Sequence, residues 1–100
     1  MIGSLTGTTT AGYTTALEWT DPYERHKTML LKNTDATLSL KYKVLGYAIR
    51  AGISKELIAE TTLLADEIAE FHWQKQWHEL IIQVIDGSGH ATYQIDYEGR

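Results

Sequence analysis

Residues 38–44 read Leu38-Ser39-Leu40-Lys41-Tyr42-Lys43-Val44, and this stretch decides the fold class. Apolar side chains alternate with polar ones along it, which is the pattern of a β-strand that buries one face. A helix would distribute the same side chains around its circumference. The stretch therefore predicts a strand with one face against a core and the other towards solvent.

Two runs near the C-terminus share this period of two. Residues 78–86 and 91–98 alternate in the same way, and Asp86-Gly87-Ser88-Gly89 separates them. Because the residues of that turn tolerate positive φ, we expect the two runs to pair as an antiparallel hairpin. Ile81 and Ile85 make the second face of the first run apolar as well. That run is therefore a central strand, or its outer face is covered.

The segment from Ser54 to Gln74 has two interpretations. Apolar residues at helical spacing predict a helix near residues 55–72, and its alanine, leucine and glutamate favour that state. Alternatively, residues 57–64 and 68–73 form two strands that are joined at residues 65–67. The choice between these interpretations depends on the rest of the chain.

The spacing of the other strand candidates favours two strands in this segment. Short strands that recur every 8–12 residues, with turn signals between them, are typical of a β-sandwich. We therefore expect an all-β fold, an antiparallel immunoglobulin-like β-sandwich, and the alternative is an α+β fold with one helix. The predicted strands lie near residues 25–32, 38–46, 56–64, 68–74, 78–86 and 91–98.

Residues 1–18 differ in composition from the remainder of the chain. Glycines alternate with threonines, and no charged residue precedes Glu18. Such a segment has too little apolar surface to offset its ordering entropy, although threonine favours extended backbone. The sequence predicts an extended arm over residues 1–18 that lies on a neighbouring subunit, followed by a sandwich domain over residues 19–100.

Composition excludes several classes of function. The chain has 100 residues, no cysteine and a formal net charge of −4. It therefore has no disulfide and no thiolate metal site, and the negative charge argues against direct nucleic-acid binding. No apolar run approaches the ~20 residues of a membrane span, and the N-terminus lacks the pattern of a secretory signal.

The residue patterns contain no catalytic or metal-binding motif. The histidines, His26, His72, His78 and His90, do not follow a metal-ligand spacing. A hydrolase would need a carboxylate pair, for which Glu79 and Asp96 on neighbouring strands are the candidates. We expect a protein that is not an enzyme and that holds no metal or cofactor.

Charge is distributed unevenly along the chain. Residues 25–50 carry arginines and lysines with Asp35 as their only acid, whereas residues 56–70 carry acids and no base. The two segments either pair within the chain, across strands, or form a two-signed surface through which subunits pack.

Several residues are candidates for contacts with other subunits. They come from the arm, from the edges of predicted strands and from the second apolar face: Thr8, Tyr13, Trp19, Trp77, Ile81 and Ile85. Large aromatic side chains of this kind anchor protein interfaces. If Trp19 and Trp77 are exposed on a sandwich face, they would instead stack on sugar rings.

Four segments of the chain resemble a known family. They are Leu31-Lys32-Asn33-Thr34-Asp35-Ala36-Thr37-Leu38, the alternating strand to Val44, Thr62-Leu63-Leu64-Ala65 and a closing stretch from Trp77 to Tyr97. The resemblance is to small immunoglobulin-like β-sandwich structural proteins of tailed-phage virions, and it covers residues 27–98. It implies a protein that decorates or cements a capsid, or joins head and tail components.

The function expected from these observations is a non-enzymatic virion structural protein, made in the host cytoplasm, that works by assembly. Its expected partners are other virion proteins and copies of itself, with no membrane and no nucleic acid. The alternative is a carbohydrate-binding β-sandwich module that uses Trp19 and Trp77.

Overall fold

The computed structural model describes residues 1–21, 23–74 and 77–100, and there is no helix within those ranges. The described chain forms strands that follow the alternating pattern of the sequence. They are β1 (Ile2–Thr8), β2 (Thr14–Trp19), β3 (Lys27–Asn33), β4 (Leu40–Tyr47), β5 (Ser54–Leu63), β6 (Ile68–Trp73), β7 (Glu79–Asp86) and β8 (Thr92–Gly99).

These strands form two antiparallel sheets of four strands each. Sheet A has the order β1-β8-β3-β6, and sheet B has the order β2-β7-β4-β5. The chain changes sheet at every connection except the one between β4 and β5. This order of eight strands is that of a jelly roll. The predicted all-β antiparallel sandwich is thus confirmed. Its strands are connected as in a jelly roll, whereas an immunoglobulin domain groups its strands as ABED and CFG.

The predicted hairpin between the last two strands is wrong in its pairing. β7 lies between β2 and β4 in sheet B, and β8 lies between β1 and β3 in sheet A. The turn between them carries the chain across the sandwich and is held by other segments. The Gly87 N–H donates to the Ser39 carbonyl at 3.0 Å. A side chain at Gly87 would lie 2.7 Å from that carbonyl oxygen, so this approach requires glycine.

The segment with two interpretations forms strands β5 and β6. The turn between them places Asp66 at a positive φ of 64°, which aspartate tolerates better than most residues. β5 pairs with β4 and β6 pairs with β3, so partners distant in sequence override the local helix propensity. The register shifts twice along the β4–β5 pairing, which breaks the alternation that would have identified β5.

The expectation of an arm outside the domain is corrected by the structure. β1 pairs with β8 along its whole length, and β2 pairs with β7, so the two strands form edges of sheets A and B. Gly3 lies opposite Tyr97, and Gly7 lies opposite Tyr93. β1 has few apolar side chains because these two tyrosine rings on the neighbouring strand cover its inner side.

The core lies between the inner faces of the two sheets. Its fully buried side chains include Met29, Leu31 and Ile95 from sheet A and Trp19, Val44 and Ile82 from sheet B. The rings of Trp19 and Tyr97 are 5.3 Å apart and join the two layers. Burying this apolar surface is the main stabilising contribution to the fold.

Buried polar groups also fasten the two sheets together. The Asn33 amide at the end of β3 donates to the carbonyls of Leu38 (2.8 Å) and Leu63 (3.1 Å), and its oxygen accepts from the Asp35 N–H. Trp19 Nε1 donates to Glu24 Oε1 at 2.9 Å. Because these groups are satisfied inside the protein, their burial carries no penalty for lost hydrogen bonds to water.

Candidate interaction surface

The outer face of sheet B, which we call surface B, has an apolar centre. Surface B is formed by the side chains that alternate with the buried ones on the two central strands. They are Lys41, Lys43, Leu45 and Tyr47 on β4 and Glu79, Ile81, Gln83 and Ile85 on β7. Leu45 lies directly opposite Ile81, and both are half-buried without belonging to the core. A sheet face turned towards solvent would normally be polar at these positions.

Charged residues of both signs border the apolar centre of surface B. On the outer strands, Glu18 of β2 lies opposite Ile81, and Glu56 of β5 lies opposite Leu45. On the central strands, Lys41 lies opposite Ile85. An apolar centre inside a charged rim is the usual composition of a protein interface.

Tyr13 extends across surface B from the residue before β2. Its hydroxyl donates to Glu60 Oε1 on β5, and Lys43 Nζ of β4 lies 4.2 Å from the centre of its ring. Burial, with the carboxylate of Glu60 as a second cause, raises the pKa of Tyr13 to about 12. Tyr13 is therefore a neutral hydrogen-bond donor that ties the β1–β2 connection to the far edge of sheet B.

Three of the predicted contact residues meet on this face. Ile81 and Ile85 are on surface B, as the apolar second face of their strand indicated, and Tyr13 lies across it. Thr8 is elsewhere, at the exposed end of β1 opposite Thr92 in sheet A. Whether any of these residues contacts another subunit stays a prediction.

The tryptophan predictions need correction. Trp19 is 0% exposed and belongs to the core, so it is available neither to a neighbouring subunit nor to a sugar. It is buried because it faces inward at the end of β2, where its ring packs against Tyr97 of the other sheet. Trp77 is half-buried and packs against the core beside Leu57 and Gly46. It lines a small cleft with Lys55 and Trp73 between the two sheets.

Sequence reasoning missed Leu45 and Tyr47, which complete the apolar centre of surface B. The signal was present, because they continue the outward register of Lys41 and Lys43 with apolar side chains. Because the alternation of apolar and polar residues ends at Val44, these two residues lie outside the pattern that predicts the strand.

The two oppositely charged segments lie side by side in the structure. The basic β4 pairs with the acidic β5 in sheet B, and β3 pairs with β6 in sheet A. Among the described residues, an ion pair between Lys32 Nζ and Asp66 Oδ1 (3.4 Å) links the two segments. The complementarity is therefore partly satisfied within the chain, as one of the two interpretations predicted.

The described residues contain no cluster of three potential metal ligands. Glu79 and Asp96 do not form the carboxylate pair that a hydrolase would need, because they lie on the outer faces of opposite sheets. Ser88 Oγ accepts from the Ser39 N–H at 2.8 Å, which is a turn contact. Helices suited to crossing a bilayer are not found in the part of the chain that the structure describes.

The eight-stranded jelly roll places the chain among β-sandwich proteins, and comparisons with solved structures agree with this class. No protein-family model and no curated protein matches the sequence. The structure of PirA superposes with a TM-score of 0.71 and 19% identity, over 95% of this chain and 93% of PirA.

Two further solved structures share the fold. A protein of the disulfide-linked pili described as Bacillus endospore appendages has a TM-score of 0.63 and 9% identity, over 99% of this chain and 85% of that one. The SPBc2 prophage-derived protein YomS has a TM-score of 0.52 and 10% identity, over 98% of this chain and 96% of YomS. These similarities establish the fold.

Proposed function

We propose that the chain is a non-enzymatic structural protein of a phage-type particle, which decorates, cements or joins particle components. It assembles through surface B, which packs first of all against surface B of a second copy. Other virion proteins are the further partners in this proposal.

The apolar centre of surface B carries the proposal. Leu45, Tyr47, Ile81 and Ile85 project from the two central strands of a rigid sheet, outside the core. Contiguous apolar side chains of this kind, rimmed by charges, mark sites where proteins associate. Covering them with an identical surface would remove them from water on both copies at once.

The charged rim supports a second copy as the partner. The lysines of β4 and the glutamates of β5, Glu56 and Glu60, lie on neighbouring strands, and Tyr13 bridges Lys43 and Glu60, so one surface carries both signs. A two-fold axis brings the same patch of both subunits together, and an axis parallel to the strands between β4 and β5 would set the basic stripe of one copy against the acidic stripe of the other. Charges arranged in this way fix the register of an interface and suppress wrong partners.

The structural comparisons support a role in assembly. Jelly rolls recur in viral capsid proteins, and two of the solved structures with this fold come from a pilus and a prophage. The pilus is described as disulfide-linked. The present chain has no cysteine, so its assembly depends on non-covalent contacts.

The proposal is tested by measuring the mass of the protein in solution over a range of concentrations, with light scattering after size exclusion. We expect concentration-dependent self-association that Ile81→Lys abolishes, because the lysine ammonium would have to lose its hydration at the apolar centre of the interface. Ile68→Lys is the matched control. Ile68 is 58% exposed on the outer face of sheet A, so its replacement leaves association unchanged.

A second measurement addresses the particle itself. Lysate from the native source is fractionated by size, and the chain is detected by mass spectrometry. We expect recovery in a megadalton particle together with its partners. A strictly monomeric protein that is recovered only in the small fractions would overturn the proposal.

A further inference from the structure

The outer face of sheet A forms an open groove of about 930 Å³, which we call groove A. All four strands of the sheet contribute to it. Its lining includes Ser4, Thr28, Leu30, His72, Gln94 and Asp96. The volume lies within the range of about 300–1,000 Å³ that is usual for ligand sites. Groove A and surface B are on opposite sides of the sandwich.

A fixed polar array lies on the two neighbouring strands β1 and β8. Ser4 Oγ donates to Asp96 Oδ1 at 2.5 Å, and Gln94 Nε2 donates to the same oxygen at 3.0 Å. These hydrogen bonds hold the pKa of Asp96 below its usual value, so the carboxylate is ionised at neutral pH. The array keeps further acceptor capacity on Asp96 and Gln94, because a carboxylate accepts about four hydrogen bonds.

Apolar and planar groups lie next to this array. Leu30 of β3 is directly opposite Asp96 and is 39% exposed. The imidazole rings of His26 and His72 are stacked with their centres 6.1 Å apart. A hydrogen bond of 2.9 Å between Thr28 Oγ1 and His72 Nδ1 fixes the second ring. Groove A thus combines oriented hydrogen-bonding groups with flat surfaces that attract C–H groups.

We propose that groove A binds a neutral saccharide. Sugar hydroxyls would bond to Asp96 and Gln94, and the C–H face of a sugar ring would pack on Leu30. Asp96, Glu98 and Arg100 bring charges of both signs to the lining, which favours a neutral ligand over an ionic one. The site does not involve Trp19 or Trp77, and it is independent of assembly through surface B.

The experiment is a titration of the ¹⁵N-labelled protein, followed by amide chemical shifts. The probes are the methyl glycosides of glucose, galactose, mannose, N-acetylglucosamine and N-acetylgalactosamine, with lactose and maltotriose as longer ligands. We expect at least one probe to give saturable shifts at Ser4, Leu30, Gln94 and Asp96. Asp96→Asn, which keeps the shape but removes the charge, should weaken that binding by about tenfold or more, since hydrogen bonds to a charged group are stronger than those to a neutral one.

Ile53→Ala is the control, because Ile53 is 93% exposed in the β4–β5 connection and belongs neither to groove A nor to surface B. It should leave the titration unchanged. The proposal is overturned if no probe produces saturable shifts, if the shifts fall on surface B or in the Trp77 cleft, or if Asp96→Asn binds as well as the native chain. Self-association is measured separately, so failure here leaves the proposed function standing.

Discussion

Surface B and groove A are the outer faces of two sheets whose inner faces are much alike. Both inner faces carry large apolar side chains on their central strands. Outside, the two central strands of surface B carry Leu45, Tyr47 and Ile81, whereas the central strands of sheet A carry Thr28, Leu30 and Gln94, and its exposed Ile2 and Ile68 lie on the edge strands. The apolar side chains are therefore contiguous at the centre of surface B and interspersed with polar groups on sheet A, which is why surface B is the face proposed to pack against a partner.

Under the two proposals, one sandwich separates two kinds of recognition. Flat contact with another protein needs apolar side chains and a charged rim, whereas a small polar ligand needs few groups held rigidly in place. The two faces lie on opposite sides of the core. Changes on one should therefore add independently to changes on the other.

The largest expected effect comes from the edge strand that forms one wall of groove A. In Gly7→Val, the new side chain would overlap the buried ring of Tyr93, whose Cζ lies 2.5 Å from the added Cβ. We expect the free energy of unfolding in urea to fall by about 1–3 kcal/mol, as for other overpacked sites. The pairing of β1 with β8 should weaken, and the shape of groove A should change with it, whereas association through surface B persists.

Gly12→Ala provides the control for this substitution. Nothing lies within 4 Å of the added Cβ at Gly12. Its unfolding free energy should therefore stay within about 0.5 kcal/mol of the native value. Equal unfolding free energies of the Gly7 and Gly12 variants would show that the close packing of the tyrosine rings on β1 does not contribute to stability.

The same glycine–tyrosine pairs show where prediction from sequence succeeds and where it stops. The strands that carry their own apolar alternation, such as β4 and β7, were placed correctly because the period of two is visible in the residues. β1 was missed since its apolar covering comes from Tyr93 and Tyr97, which are about ninety residues away in sequence. The pairing of β8 with β7 was also predicted wrongly, because the turn residues 86–89 are compatible with two strands in the same sheet and with two strands in different sheets.

The candidate sites show the same division. Ile81 and Ile85 were identified because an apolar residue at an outward position is visible in the sequence. Groove A was not, since Ser4, Leu30 and Asp96 come from three distant segments that only the topology brings together. Trp19 was misjudged because its exposure depended on the placement of β2.

A smaller effect is expected from the charged rim of surface B. Glu56→Lys replaces an acid opposite Leu45 by a base and should weaken self-association several-fold, because exposed ion pairs contribute up to about 1 kcal/mol each. Raising the salt from about 0.05 M to about 0.5 M should reduce the difference between the native chain and the variant. Analytical ultracentrifugation at both salt concentrations measures the self-association of the native chain and of the variant. A salt-independent difference would mean that the rim charges do not attract.

A local change in groove A should follow from Ser4→Ala. The Ser4 hydroxyl donates to Asp96, and this hydrogen bond is the largest cause that lowers the pKa of the carboxyl. The stability that Asp96 contributes is present above the unfolded pKa of about 3.9 and is lost as pH falls through the lower folded value. Ser4→Ala should raise the folded-state pKa of Asp96 towards its unfolded value. The pH range over which Asp96 stabilises the fold then becomes narrower.

Carboxyl ¹³C shifts followed through an acid titration measure the Asp96 pKa directly. Thr8→Ala serves for comparison, as it lies on the same face of β1 but opposite Thr92. It should leave Asp96 unchanged. If both variants titrate like the native chain, the serine hydroxyl does not stabilise the carboxylate.

The smallest effect is expected at Tyr13, where surface B meets the β1–β2 connection. Its folded pKa of about 12 exceeds the ordinary value of 10.0, so the stability it contributes is present below pH 10 and is lost as pH rises through about 12. Glu60→Gln keeps a hydrogen-bond acceptor but removes the negative charge, and should lower the Tyr13 pKa towards 10.0. Ultraviolet titration of tyrosinate against a Tyr13→Phe reference isolates this single group. If Glu60→Gln leaves that titration unchanged, burial alone sets the pKa and the carboxylate serves only to hold the tyrosine across the sheet.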